Sequence, residues 1–66
     1  MALDMDDQLR LERILEAAEE TPSRLSEWEI GFVADQQTRY EEGGAEIVMT
    51  PAQWGILKRI ERKLGV

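Results

Sequence analysis

Apolar residues recur at helical spacing in three blocks of this chain, separated by two breaks rich in proline, glycine, serine and threonine. In the first block Leu11, Ile14, Leu15 and Ala18 share one face at about 100° per residue, which predicts a helix over about 4–20, ending before Thr21-Pro22. In the second, Trp28, Phe32, Val33 and Tyr40 fall on one side with Gln36 among them, predicting a helix over about 27–41. In the third, Trp54, Leu57, Ile60 and Leu64, with Ile56 at the margin, predict a helix over about 51–64 that stops at Gly65. Between the last two, Ala45–Met49 is β-branched enough to be extended. With no second convincing strand it cannot build a sheet alone. The expected arrangement packs Ile47 or Val48 under the helices; the alternative adds this stretch to another molecule's sheet edge. The pattern reads as an all-α protein, a single compact three-helix domain over residues 1–66.

The helix starts are strongly marked. Ser26 and Glu29 form a capping box, in which the hydroxyl accepts from the Glu29 amide and the carboxylate reaches back to the Ser26 amide. Leu25 and Ile30 flank it as a hydrophobic staple. Thr50 and Gln53 repeat the device, with Met49 and Trp54 as the staple and Pro51 at the first helical position, where a missing N–H costs nothing. Each start carries a tryptophan, and the two indoles are expected to meet in one dry interior, since a small core depends on large aromatics. Asp4, Asp6 and Asp7 sit at the positive end of the first helix dipole. Gly43-Gly44 closes the second helix, one glycine being expected in the left-handed conformation. Gln36 on the apolar side needs a partner for its amide, with a loop backbone or a wet edge beside Tyr40 as the structural reading and a ligand contact as the other. Asp35 and Arg39 are spaced as a surface ion pair.

Composition narrows the chemistry. In 66 residues there is no cysteine, which excludes a disulfide and a thiolate metal site, and no histidine, the commonest metal ligand and general base. A chain of this size buries only about 60% of its unfolded surface, so stability is expected to be marginal. The net charge of −6 opposes non-specific binding to nucleic acid or anionic membranes. It is unevenly spread: residues 1–22 carry −5, residues 23–48 carry −4, and residues 49–66 carry +3, with Glu61 alone against Lys58, Arg59, Arg62 and Lys63. The amino-terminal stretch is acidic and does not resemble a signal peptide. No run is long enough to cross a bilayer, so a cytoplasmic location and no membrane partner are expected.

No catalytic constellation is present: there is no G-x-S-x-G, no P-loop and no Gly-rich fingerprint. Paired carboxylates on solvated helix faces lack the cleft that acid–base work requires. The chain is therefore expected not to be an enzyme and to need no cofactor. Asp4-Met5-Asp6-Asp7 lacks the glycine and terminal glutamate of a calcium loop, so no metal site is assigned. Two surfaces remain as candidates. Met5 and Leu9, one turn apart and nearly opposite the core stripe, are either isolated surface residues or a small contact patch. Gly55, Arg59 and Arg62, with Lys58 beside them, line up along the third helix. A glycine in a helix interior costs about 1 kcal/mol relative to alanine, which is reasonable where another backbone or a phosphate comes close. The other reading is that these cations complement the helix C-terminus and the acidic first helix. Gly31 raises the same question, with a tightly packed neighbour near Trp28 as its expected cause.

The order Leu25-Ser26-x-Trp28-Glu29-x-x-Phe32, a Gly-rich break, then Thr50-Pro51-x-Gln53-x-x-x-Leu57-x-x-Ile60 resembles a short helical module of phage and bacterial proteins. That module stands alone or at the tail of a DNA-processing enzyme. The resemblance covers about residues 25–64, leaves the first helix outside it, and implies a neighbourhood in DNA metabolism without assigning any residue a role. The reading is a non-catalytic protein-interaction module, an accessory to phage or bacterial DNA metabolism. Its partner faces are Met5 and Leu9, and Gly55, Lys58, Arg59 and Arg62. Two alternatives stand beside it: a weak nucleic-acid binder acting through the third helix, and a homodimer whose core a second copy completes.

Overall fold

A computed structural model describes residues 3–66. The chain is all-α, with α1 over Met5–Glu20, α2 over Glu27–Gly43 and α3 over Pro51–Leu64. Short 3-10 turns at Pro22–Arg24 and Gly44–Glu46 carry the two connections, and there is no strand among the described residues. Helix α1 packs against both α2 and α3. The interior is built on Leu11 and Ile14 of α1 and Leu57 and Ile60 of α3, all fully buried. Leu15, Ala18, Val33, Met49 and Leu64 extend it.

The caps explain where the helices begin. The Asp4 carboxylate accepts from the Asp7 amide at 2.7 Å. Both capping boxes form: the Glu29 amide donates to Ser26 Oγ at 3.2 Å and the Ser26 amide to Glu29 Oε1 at 2.9 Å. The Thr50–Gln53 pair does the same at 3.1 and 2.9 Å. Leu25 and Ile30 line one shallow apolar groove between α1 and α2, although Ile30 remains 43% exposed.

Helix α2 runs two residues beyond the expected end, and its glycines stop it in a different way. Gly44 has φ +55 and ψ −134, a region open to glycine but outside the left-handed helical well. Gly43 has ordinary helical torsions, yet a Cβ there would lie 2.7 Å from Ile47 Cγ2. One glycine supplies the turn and the other the space for Ile47, which half-buries against the core. Gly65 does take the left-handed conformation, at φ 75. Of the extended stretch, Met49 is buried and Val48 is 53% exposed. Leu3 is buried as well, and its amide donates to the Ala45 carbonyl at 2.8 Å, tying the start of the chain to the second connection.

Trp28 is the main correction. It is 63% exposed, and the indoles do not share an interior; Trp54 alone packs, half-buried, against the core. The reason is rotational. The buried residues of α2 are Glu29, Val33 and Gln36, spaced four and three apart, so the core-facing line passes through Glu29 and leaves Trp28 about 100° round the helix. There it stacks on Phe32, ring centroids 5.5 Å apart and planes 15° from parallel. Two further expectations also change. Gln36, 3% exposed, accepts from Arg39 Nη1 at 2.8 Å rather than bonding loop backbone. Arg39 then donates Nη2 to the Val48 carbonyl at 2.6 Å, so it is tied to the second connection and not paired with Asp35.

Candidate functional site

Two ion pairs set the outer surfaces of the bundle by fixing which flank of α3 meets each neighbour. Arg10 of α1 makes a two-pronged bond to Glu61, Nη2 to Oε1 at 2.8 Å and Nε to Oε2 at 3.2 Å. The bond and the charge of Glu61 raise the arginine pKa above its ordinary value. On the opposite flank Lys63 Nζ lies 2.8 Å from Glu29 Oε1. The Lys63 ammonium first, and then the Ser26 amide, hold the Glu29 carboxyl below its usual pKa. Glu29 thus has two tasks with its buried side chain, capping α2 and anchoring α3.

The first surface is the α1/α3 groove above the Arg10–Glu61 bond. Two shallow pockets share that bond, one bordered by Leu9 and Arg13 of α1 and the other by Lys58 and Arg62 of α3. The structure therefore brings two of the sequence-derived site residues, Lys58 and Arg62, to one pocket and places Leu9 at the adjoining one. Met5 lies one turn before Leu9 and is 69% exposed. Gly55 and Arg59 are exposed but do not border this groove. A Cβ on Gly55 would meet nothing within 4 Å, so among the described residues no packed neighbour from another element accounts for the glycine.

The second surface is on α2, where Glu27, Trp28, Gly31, Phe32 and Asp35 form an open groove of about 340 Å3. A Cβ on Gly31 would also meet nothing within 4 Å, so the close neighbour expected there is absent. Its hydrogen leaves a gap in the groove floor beside the stacked rings. Among the described residues neither Glu27 nor Asp35 forms an ion pair.

No family model, curated protein or solved structure matches this chain. The surface itself must carry the functional reading. Among the described residues no cluster of three or more acidic, histidine or cysteine side chains is placed to hold a metal ion, and no helix is long and apolar enough to cross a membrane.

The sequence reading missed Arg10, Glu29, Glu61 and Lys63 as pairing residues, and missed the α2 groove. Glu61 offered a signal, being the single acid among four cations in the last helix. Glu29 offered a weaker one, because it falls in line with Val33 and Gln36 at helical spacing. The identity of their partners depends on how the helices are arranged around one another, which spacing within one helix does not contain.

Proposed function

We propose that this chain is a non-catalytic protein-interaction module whose principal docking surface is the outer flank of α2. The observation that supports the reading is the exposure of Trp28. Tryptophan is a scarce and costly side chain to leave in water, and exposed aromatics of this kind act as anchors at protein interfaces. In a chain with two tryptophans, one lies 63% exposed and stacked on Phe32. Met5, Leu9, Lys58 and Arg62 provide a second face across α1 and α3, with Gly55 and Arg59 on its outer side. The resemblance of residues 25–64 to a phage and bacterial helical module supports an accessory role in DNA metabolism, in the cytoplasm.

The test is binding by Trp28→Ala. Interface tryptophans typically cost about 2 kcal/mol or more on truncation, so a purified partner should lose at least about thirtyfold in affinity while the thermal melt of the variant stays unchanged. Unchanged affinity in a folded Trp28→Ala protein would exclude the α2 surface.

A second reading has one observation in its favour. Lys58, Arg59 and Arg62 are exposed and have no ion-pair partner among the described residues, whereas Lys63 has one. A weak nucleic-acid contact through α3 would lose affinity steeply with salt and disappear in Arg59→Ala with Arg62→Ala.

A further inference from the structure

We propose that the α2 groove receives an arginine side chain from a basic segment of the partner protein, an inference that rests on α2 being the docking surface. The groove combines the two features that hold a guanidinium. The outer face of the Trp28 indole is open, and its stacking on Phe32 fixes its plane; an indole face is the strongest side-chain attractor of a cation. The carboxylates of Glu27 and Asp35 border the same groove. Glu27 lies next to Trp28 in sequence, and Asp35 lies one turn beyond Phe32.

Neither acid is neutralised from within. The side chain placed by spacing to serve Asp35 is Arg39, and it is committed to Gln36 and the Val48 carbonyl. The neighbouring acid Glu29 is buried under Lys63, so that lysine is also committed. The groove therefore presents negative charge beside an aromatic face, with no cation among the described residues paired to it. Gly31 gives it depth, since a side chain there would stand between the rings and Asp35, and no internal contact requires glycine at that position.

Arginine fits better than lysine because a planar guanidinium stacks on an indole and bonds a carboxylate through two N–H groups together. A second copy of this chain fits less well. Its exposed cations are spread over Arg13 of α1, Arg24 of the first connection and the outer side of α3, and such a contact would bring together two chains of net charge −6.

The experiment uses the full chain labelled with 15N, in which the Trp28 indole N–H is separated from that of Trp54 by a Trp54→Phe spectrum. The probe is a blocked decapeptide of alternating glycine and arginine. Its control is the same peptide with citrulline, which keeps the shape and removes the charge. The arginine peptide should shift the Trp28 indole N–H and leave Trp54 in place, binding about five- to tenfold more tightly than the citrulline peptide. Glu27→Gln with Asp35→Asn should erase that preference, while Glu12→Gln with Glu16→Gln on α1, an equal change of charge, should preserve it. Thermal melts establish that both double variants are folded.

Equal shifts of Trp28 by the two peptides would overturn the cation site and leave the docking surface standing. Arginine-specific shifts confined to other residues, or no shift with either peptide, would overturn the site, and Trp28→Ala against the natural partner then decides the surface separately. A Trp28 resonance that moves with protein concentration alone would give the groove to a second copy and overturn the proposal.

Discussion

The glycines separate space from torsion at single residues. Gly31 and Gly55 stand in helix interiors with open space where a Cβ would go. Alanine there should stabilise the fold by about 0.5–1 kcal/mol each, a rise in melting temperature of several degrees for a domain of this size. Gly43→Ala should do the opposite. Its Cβ would press on Ile47 Cγ2, a methyl carried directly on the branched Cβ and so with little freedom to move. The cost should be about 1–3 kcal/mol, as for other overpacked sites. The three melts, followed by circular dichroism, check both signs. If Gly31 is retained for binding, Gly31→Ala will melt higher and bind its partner less well, the separation expected of a residue kept for function at a cost in stability. Glu29 adds a pH signature of its own. Its folded pKa lies below its unfolded value because of Lys63 and Ser26. Its contribution is therefore complete at neutral pH and is lost as pH falls from the unfolded value, about 4.3, through the lowered folded one. Glu29→Gln should lower the melting temperature at pH 7 and flatten the acid limb of the stability curve, read as melting temperature against pH.

Helix boundaries were legible because they are written in adjacent residues. Ser26 with Glu29, and Thr50 with Gln53, each close a local pair of hydrogen bonds that needs nothing from the rest of the molecule. Removing either hydroxyl, as Ser26→Ala or Thr50→Ala, should cost about 1 kcal/mol. The stripes of α1 and α3 were legible too, since their buried residues are all apolar. Helix α2 was harder because its buried line reads Glu29, Val33, Gln36, and two of these are polar. An apolarity pattern therefore turns the helix toward Trp28 and Phe32. What resolves the rotation is tertiary: Lys63 meets Glu29, and Arg39 connects Gln36 to the Val48 carbonyl. The α2 groove follows from that rotation, so it could not be found before it. Fluorescence checks the result. In Trp54→Phe the remaining indole, Trp28, should emit at long wavelength and be quenched efficiently by acrylamide. In Trp28→Phe the half-buried Trp54 should emit further to the blue and be quenched less.

The three helices share one small interior, and its four fully buried side chains come from only two of them, α1 and α3. Helix α2 adds Val33 as its one buried apolar residue, with Phe32 and Tyr40 packed half-buried against the core and the Glu29–Lys63 ion pair beside them. The bundle should therefore be sensitive to truncation along the α1/α3 seam. At about 0.05–0.15 kcal/mol per residue, a domain of this length has about 3–10 kcal/mol in total. Ile60→Ala should remove about 2–5 kcal/mol of that, leaving a substantial unfolded fraction at 37 °C, while Ile60→Val should cost about 0.5–1.5 kcal/mol and remain folded. The milder variant is the better reporter of association, because any species that binds only the folded chain stabilises it by mass action, by about 2.7 kcal/mol at a hundred times the dissociation constant, and so raises its melting temperature. For a module that binds a different protein, the Ile60→Val melt should not depend on its own concentration and should rise when the partner is added. For a bundle completed by a second copy, the melt should climb with chain concentration alone. A hundredfold dilution series followed by circular dichroism distinguishes the two, and a melting temperature constant across that series is the result expected here.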